Sequence, residues 1–206
     1  MIIFAYIIAA VQAYLIGGIN GAIITSKRLY KRDIREEGSH NPGLTNFHRV
    51  FGVRGVLLVI LVDVAKTLMP VLIGGWVFRA FGFSEFSGKI FAGLFVMLGH
   101  AFPIYYEFKG GKTVLAVGVL LCSLDWRIAV VGWGIFLAVL AITRFVSLGA
   151  ILGVWGFPIA IAIFRLGTVQ DFVIAVLCSI FLAIRHRENI KRLIRGEESK
   201  LRFKKG

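Results

Sequence analysis

The stretch VRGVLLVILVDVAKTLMPVLIGGWVF, residues 53–78, decides the fold of this chain. It is longer than the about 20 apolar residues that a helix needs to cross roughly 30 Å of hydrocarbon, so we expect it to span a membrane. Within it, Asp63 and Lys66 stand at i and i+3, which puts them on one face of a helix. Because isolated charges are costly in hydrocarbon, we expect these two side chains to pair inside a helix bundle.

The rest of the chain has the same apolar character. Of its 206 residues, 58% are hydrophobic and only 17% are charged, which is too little polar sequence to cover a soluble globule. The sequence therefore predicts an all-α polytopic membrane protein with seven transmembrane helices, folded as a single membrane-embedded domain over residues 1–206, and it leaves no room for a separate soluble catalytic domain. The seven apolar runs lie at about residues 2–24, 53–78, 88–106, 113–124, 127–142, 145–164 and 171–184.

The basic residues fall mostly on one side of such a bundle. The chain holds 24 Lys and Arg against 11 Asp and Glu, for a formal charge of +13. With seven crossings, 19 of those 24 lie in segments that face the same way: 25–54, 104–112, the joint at Arg144, and the chain from Arg185 onward. The positive-inside rule then places the N-terminus outside and the C-terminus in the cytoplasm. This distribution favours membrane lipids and an anionic substrate as partners, and no nucleic acid.

The first polar cluster is GSHNPGLTN, residues 38–46, with Arg49 close behind it. Gly, Ser, Asn and Pro form loops whose amides and hydroxyls can surround an oxyanion, and an arginine adds a fork of donors. The alternative is a capped turn at the entry to the second helix, with Thr45 or Asn46 as the N-cap.

The second polar cluster is GHAFPIYYEFKGGK, residues 99–112, which leads directly into the fourth apolar run. Two glycines between lysines at a helix start combine close backbone approach, amide donors and positive potential, which are the requirements of a phosphate site. The Gly-x4-Gly-Lys-Ser/Thr spacing of nucleotide-hydrolysing loops is absent. The alternative is a plain loop whose lysines lie against lipid headgroups.

The third polar cluster is RHRENIKRLIRGEE, residues 185–198, just beyond the last apolar run. On a helix, His186 and Asn189 share one face and Arg192 lies beside them, so we expect them to turn inward. The alternative is a basic amphipathic tail on anionic lipid, which we favour only for residues 200–205. The stretch TRFVSL, residues 143–148, adds one cation and two hydroxyls to the same side.

Together these stretches resemble the bacterial integral-membrane glycerol-3-phosphate acyltransferases that use acyl phosphate as donor. The resemblance covers nearly the whole chain, because seven apolar runs and three separated motifs occur in the family's order. The chain departs from the family at Gly18-Ile19-Asn20, at His40 and Leu44, and after Lys112, where Thr113-Val114-Leu115-Ala116 replaces the usual Gly-Val-Ala-Thr. The matching positions are Gly38, Ser39, Asn41, Gly43, Thr45, Asn46 and Arg49 in the first motif, Gly99, His100, Phe102, Pro103, Phe108, Lys109, Gly110, Gly111 and Lys112 in the second, and His186, Asn189, Ile190, Arg192, Leu193, Gly196 and Glu198 in the third.

The resemblance implies transfer of a fatty acyl group from acyl phosphate to the 1-hydroxyl of glycerol 3-phosphate, giving lysophosphatidic acid and phosphate in phospholipid biosynthesis. It implies a multi-pass protein of the bacterial inner membrane with its active site on the cytoplasmic face, and an acyl-phosphate-producing enzyme as a functional neighbour. Neither coenzyme A nor acyl carrier protein is the direct donor in that family. We expect no cofactor and no metal, because the sequence has no carboxylate-rich cluster suited to Mg²⁺ and no His-x3-His pair suited to Zn²⁺.

An acyl phosphate is already an activated mixed anhydride, so the substrate hydroxyl can attack it directly and the protein supplies positioning and charge stabilisation. A small multi-helix transporter of an anionic solute is the alternative, but it predicts polar residues at mid-membrane in several helices, where we find mainly Asp63 and Lys66.

Our hypothesis for the donor site is Lys109, Gly110, Gly111 and Lys112 with Ser147, and for glycerol 3-phosphate it is Ser39, Arg49, His186 and Asn189. We place catalysis at Ser39, Arg49, Ser147, His186 and Asn189, and further substrate binding at Gly38, Asn41, Thr45, Asn46, His100, Arg192 and Glu198.

Overall fold

The computed structural model describes residues 2–201, and all of the regular structure in that range is helical. No strand occurs among these residues, which confirms the all-α class. Two short 3-10 turns, Ile34–Glu36 and Ile104–Tyr106, lie in the polar joints. The α-helices are α1 (Ile2–Gly17), α2 (Gly21–Tyr30), α3 (Leu44–Phe51), α4 (Val56–Ala80), α5 (Glu85–Ala101), α6 (Val114–Leu124), α7 (Trp126–Thr143), α8 (Val146–Phe164), α9 (Val169–Arg185) and α10 (Arg187–Ile194).

Several of these helices, alone or joined to a neighbour, are long and apolar enough to cross a membrane. By length and composition, five helical segments in the described range qualify, and the bent pair α9–α10, with 61° between its helices, makes a sixth if it counts as one span. Helix α6 is apolar but shorter. Each of the seven predicted apolar runs therefore falls on helical structure. The five segments are Ile2–Tyr30, Val56–Ala80, Glu85–Tyr106, Trp126–Thr143 and Val146–Phe164.

The chain folds into two compact units, Met1–Ser123 and Leu124–Gly206. In the first unit, α1, α4 and α5 pack against one another, while α2 and α3 lie on α4. Small residues at every fourth position let helix backbones approach closely, which is a common basis of helix packing in membranes. Helix α1 carries such a strip on its buried face, formed by Ala5, Ala9, Ala13 and Gly17.

In the second unit, α8 packs against both α7 and α9. Helix α9 begins with a capping box, in which Thr168 accepts from the Asp171 amide and the Asp171 carboxylate accepts from the Thr168 amide. At its other end, α9 stops at Arg185 and α10 turns away from it. This bend carries the third polar cluster off the axis of the apolar helix.

The first predicted apolar run, at about residues 2–24, forms two helices rather than one. Helix α1 ends at Gly17 and α2 begins at Gly21. The physical reason is Asn20, whose side-chain oxygen accepts from the amide of Ile23 at 3.0 Å and so starts a new helix. The sequence also gave no indication of the separate short helix α3, which lies between the first polar loop and α4.

The joint before α6 holds its backbone in an unfavourable conformation at Thr113. This residue has φ +65°, in the left-handed region, where a β-branched side chain is strained. Its hydroxyl is buried and has no hydrogen-bond partner among residues 2–201. The family that the sequence resembles usually has glycine at the position of Thr113. Glycine adopts this conformation without strain.

We therefore expect Thr113→Gly to stabilise the protein. Relief of the left-handed strain and of the unpaired hydroxyl should outweigh the lost methyl contact and the added freedom of the unfolded chain, for a net gain of about 1 kcal/mol in the free energy of unfolding. The measurement is the thermal midpoint in detergent. Thr113→Val, which removes the hydroxyl but keeps the strain, should gain less, and a Thr113→Gly variant that melts below the parent would contradict this account.

Candidate active site

The first predicted loop is shaped by the buried amide of Asn46. Its oxygen accepts from the amide of Ser39 at 2.9 Å, and its nitrogen donates to the carbonyl of Glu37 at 3.0 Å. Gly38 has φ +58°, and a Cβ there would overlap the Asn46 oxygen, so glycine avoids both the backbone strain and the overlap. Asn46 and Gly38, which we predicted as substrate-binding, therefore hold the loop in shape.

The alternative interpretation of this stretch as a turn capped by Thr45 or Asn46 is wrong. Helix α3 begins after Gly43, which makes no side-chain capping bond. Thr45 and Arg49 therefore lie within α3 and present exposed side chains, and Ser39 is exposed in the loop before it. Asn41 is half-buried. The hydroxyls and the guanidinium of the first motif thus face outward, where an anion can reach them.

Two contacts fasten this loop to its surroundings in the first unit. Asn20 donates its side-chain amide to the carbonyl of Pro42 at 3.1 Å. The Arg35 guanidinium donates to the carboxylate of Asp33, with a shortest distance of 2.8 Å, and to the carbonyl of Tyr106 at 3.2 Å. The Arg35 guanidinium holds the pKa of the Asp33 carboxyl well below its usual range. Arg35 thereby ties the chain just before the first loop to the turn that precedes the second.

The Gly110-Gly111 stretch lies against the end of α5. The amide of Gly110 donates to the carbonyl of Ala101 at 3.2 Å, and that of Gly111 donates to the carbonyl of His100 at 3.1 Å. A Cβ at Gly110 would overlap the His100 carbonyl, and one at Gly111 would overlap the Nε2 atom of the same histidine. The prediction that these amides are free to meet a phosphate is wrong, because both are donated within the fold. The glycines are needed for close approach to His100.

The lysines of this loop differ in their surroundings. Lys109 is exposed and pairs with Glu107 at 2.8 Å, again an exposed residue. Lys112 is half-buried and directly precedes Thr113 and the start of α6. Surface ion pairs of the first kind are weak, so Lys109 can exchange its partner for a substrate phosphate at little cost. Phosphate binding by residues 109–112 stays a prediction.

A buried network lies beneath the loop. The Asp63–Lys66 pair that the sequence predicted is confirmed, with 2.9 Å between Lys66 Nζ and Asp63 Oδ1, and both residues are at most 3% exposed. Lys66 Nζ also contacts the carbonyl of Ile19 at 2.5 Å and Nδ1 of His100 at 2.7 Å. Asp63 accepts from the amide of Gly21 at 3.1 Å. The spacing predicts the pair, but it does not predict that Lys66 contacts Ile19 and His100.

In the second unit, Glu198 is the centre of the candidate site. Its Oε1 accepts from the hydroxyl of Ser147 at 2.6 Å and from the side-chain amide of Asn189 at 2.7 Å, and its Oε2 accepts from Nε of Arg192 at 2.7 Å. The Glu198 side chain is only 6% exposed. The structure therefore unites the third polar cluster with Ser147, which lies far from it in sequence.

The chain after α10 holds Glu198 in this position. The amide of Leu201 donates to the carbonyl of Arg144 at 2.8 Å, and the ammonium of Lys200 lies 5.5 Å from the centre of the Phe145 ring. Residues 200 and 201 are thus packed on the start of α8. The rest of the basic tail that we expected on anionic lipid, residues 202–205, lies outside the described residues.

His186 is buried at the bend between α9 and α10. Its Nδ1 lies 2.9 Å from the carbonyl of Leu182, so Nδ1 carries the proton of the neutral ring and donates it. Nε2 is then the acceptor nitrogen of that ring, as a general base requires. The prediction that His186 and Asn189 turn inward is confirmed, since both are buried.

The three donors around Glu198 also set its ionisation. Burial alone would raise the pKa of the Glu198 carboxyl, but hydrogen bonds from Ser147, Asn189 and Arg192 outweigh it and hold that pKa below its ordinary value of 4.5. The carboxylate is therefore charged at neutral pH and acts only as an acceptor. It orients the three donors.

Two features define the class: membrane-length apolar helices, and polar clusters gathered at helix ends with cationic side chains beside them. They are those of an integral-membrane protein. Comparison with known proteins is specific. The family model described as glycerol-3-phosphate acyltransferase matches residues 7–196, and this chain belongs to that family.

Individual relatives are similar in sequence to this chain over nearly its full length. The glycerol-3-phosphate acyltransferase of Finegoldia magna is 40% identical and covers 95% of this chain and 96% of its own, and that of Clostridioides difficile is 36% identical over the whole of both chains. The crystal structure of PlsY (YgiH), an integral membrane glycerol 3-phosphate acyltransferase, in its glycerol 3-phosphate form has 30% identity, a TM-score of 0.83 and 96% coverage of each chain. Its lysophosphatidic acid form gives a TM-score of 0.82 at 28% identity, covering 96% of this chain and 95% of that one.

We expect Glu198→Gln to lower stability at neutral pH by about 1 to 2 kcal/mol, because the amide group cannot accept from both Asn189 and Arg192. Since the folded pKa of Glu198 is depressed, its stabilisation is present above about pH 4.5 and is lost as the pH falls through that lower folded value. The thermal midpoints of parent and variant should therefore converge in acid. Glu197→Gln, at the exposed neighbouring position, is the control and should match the parent throughout; a constant gap for Glu198→Gln at all pH values would contradict the ionised role.

Proposed function

We propose that the chain transfers a fatty acyl group from acyl phosphate to the 1-hydroxyl of glycerol 3-phosphate, giving lysophosphatidic acid and phosphate in phospholipid biosynthesis. The observation that carries the proposal is membership of the glycerol-3-phosphate acyltransferase family over residues 7–196. The glycerol 3-phosphate and lysophosphatidic acid forms of PlsY support the acceptor and the product. The same membership favours an enzyme over a transporter of an anionic solute.

The reaction needs no covalent enzyme intermediate. The 1-hydroxyl oxygen attacks the acyl carbonyl carbon, the bond from that carbon to the bridging phosphate oxygen breaks, and phosphate leaves with that oxygen. The hydroxyl proton passes to a base, for which Nε2 of His186 and the phosphate of the substrate are the two options. The Nδ1 bond to Leu182 supports His186, because it leaves Nε2 as the proton acceptor.

Each unit carries groups suited to this chemistry. In the first unit, Ser39, Arg49, Lys109 and Lys112 supply a hydroxyl and three cations for phosphate oxygens. In the second unit, Glu198 fixes the donors of Ser147, Asn189 and Arg192 in one place. Positioned donors of this kind stabilise developing negative charge without reorganising during the reaction.

The membrane arrangement is part of the proposal. We propose seven crossings within one membrane-embedded domain, the N-terminus outside, the C-terminus in the cytoplasm and the active site on the cytoplasmic face of a bacterial inner membrane. The concentration of basic residues in segments 25–54, 104–112 and beyond Arg185 supports this orientation. Membrane lipids surround the protein, and an acyl-phosphate-producing enzyme supplies the donor as a functional neighbour.

We expect purified protein to release phosphate from palmitoyl phosphate only when glycerol 3-phosphate is present, with one lysophosphatidic acid formed per phosphate. Palmitoyl-coenzyme A in parallel should give no product. The measurement is phosphate release together with product detection by mass spectrometry. Turnover with the thioester alone would discard the donor and keep the acyltransferase, and no turnover with either donor from folded protein would contradict the proposed reaction.

A matched pair of arginine variants serves as the control for this assay. Arg49→Gln removes the guanidinium of the first motif and should reduce kcat/KM at least about tenfold, because a charge-assisted contact to phosphate is lost. Arg79→Gln removes another exposed guanidinium, at the end of α4, where it lies 3.7 Å from Glu85. That variant should keep the parent rate.

A further inference from the structure

Lys66 stands apart from every other lysine in the first unit, because it is almost completely buried within a membrane-length helix and contacts a histidine of the second motif. A protonated lysine has three donor hydrogens and no acceptor. The three contacts of Nζ, to Asp63, the Ile19 carbonyl and His100 Nδ1, use all three hydrogens. The ammonium is thereby satisfied entirely by protein groups.

These contacts fix the state of His100. With Lys66 protonated beside the Asp63 carboxylate, its ammonium can only donate, so Nδ1 of His100 accepts and the proton of the neutral ring lies on Nε2. A doubly protonated imidazole would point an N–H at the ammonium, which repulsion forbids. Lys66 therefore selects one tautomer and one orientation of this ring.

The orientation of His100 in turn determines the position of the Gly-Gly stretch. Nε2 lies so close to Gly111 that a Cβ on Gly111 would overlap it, and the Gly111 amide is bonded to the carbonyl of the same histidine. The second loop therefore rests on the ring that Lys66 orients. A displaced ring would push directly against the backbone that leads to Lys112.

The same lysine also reaches the first loop. Its partner Ile19 and the Asp63 partner Gly21 flank Asn20, which holds Pro42 of the first loop through its side-chain amide. The carbonyl of Ile19 and the amide of Gly21 belong to the break between α1 and α2, where helix-end groups lack partners within a helix. The Asp63–Lys66 pair satisfies both groups, and so fixes the break from which Asn20 extends.

We propose that Lys66 is a positioning residue of the active site, which sets the second loop through His100 and the first loop through the break at Asn20. The inference rests on the proposed function, in which both loops bind phosphate groups. Lys66 does not contact substrate in this account. Its loss acts through the geometry of residues 38–49 and 109–112.

The first test measures His100 directly and needs no activity. In protein with 15N-labelled histidine, protonated and unprotonated imidazole nitrogens have well-separated chemical shifts, and His100→Gln assigns the His100 signals among the four histidines. The parent should show the tautomer with an unprotonated Nδ1. Lys66→Met should lose that single tautomer. A folded Lys66→Met protein that keeps it would overturn the proposal.

The second test separates binding from chemistry. With palmitoyl phosphate and glycerol 3-phosphate, Lys66→Met should raise the KM for at least one substrate by about tenfold or more, because misplacement of about 1 Å is enough to cost such factors. Lys89→Met is the matched control, since Lys89 makes an ion pair with Glu85 at 2.6 Å within α5 and contacts neither loop. It should leave KM and kcat unchanged.

Lys66→Met leaves Asp63 as an uncompensated buried charge, which can prevent folding. The double variant Lys66→Met with Asp63→Asn removes that charge and should show the same loss of the His100 tautomer and the same rise in KM. Parent-like spectra and kinetics in the folded double variant would overturn the proposal. If the parent protein itself fails to acylate glycerol 3-phosphate, the proposed function fails, while the His100 spectra still decide whether Lys66 orients this ring.

Discussion

A charged group inside a bilayer has to find its partners within the protein, because hydrocarbon offers none. In the first unit this constraint acts at Lys66, and the partners of Lys66 and Asp63 include backbone groups at the break between α1 and α2. The cation faces the carbonyl end of α1 and the carboxylate of Asp63 faces the amide start of α2. Each charge thus lies at the helix end whose dipole it complements. A broken helix at membrane depth is acceptable here because its exposed backbone groups are bonded to that pair.

The second unit also contains a nearly buried charged group with several protein partners, but this group is negative. Glu198 is a nearly buried carboxylate whose two oxygens accept from Ser147, Asn189 and Arg192. As with Lys66, one charged group gathers donors or acceptors from segments far apart in sequence. One partner of Lys66, His100, belongs to the second motif, and two partners of Glu198, Asn189 and Arg192, belong to the third. Removing the central charge would leave several buried polar groups unpaired, which is more costly than losing one surface contact.

Much of the fold could be predicted from the sequence, because the positions of apolar helices depend on composition and on the spacing of residues. The seven apolar runs fall on helices, the pairing of Asp63 with Lys66 follows from their i and i+3 spacing, and the family was legible in three motifs. The inward position of His186 and Asn189 followed from their place beyond the last apolar run.

What the sequence could not give depends on contacts between distant segments. Nothing local to Lys66 indicates that it reaches His100, and nothing local to Gly110 and Gly111 indicates that their amides are donated to α5. We expected free amides there because glycine pairs are typical of anion sites. Here the lack of a side chain serves packing on His100. In the sequence, Asn20 is distinctive only as a departure from the family, although its capping bond starts a new helix and its side-chain amide binds the first loop. A side chain that contacts two separate segments produces no repeating pattern in the sequence from which those contacts could be predicted.

Acyl transfer with phosphate as the leaving group requires cleavage between the acyl carbon of acyl phosphate and its bridging oxygen. A turnover experiment with palmitoyl phosphate that carries 18O in the bridging position, and with unlabelled glycerol 3-phosphate, identifies the bond that breaks. We expect the label to leave entirely with inorganic phosphate, and lysophosphatidic acid to contain none. Label retained in the acyl group, in lysophosphatidic acid or in free palmitate, would show that the phosphorus–oxygen bond breaks instead and would overturn the proposed reaction.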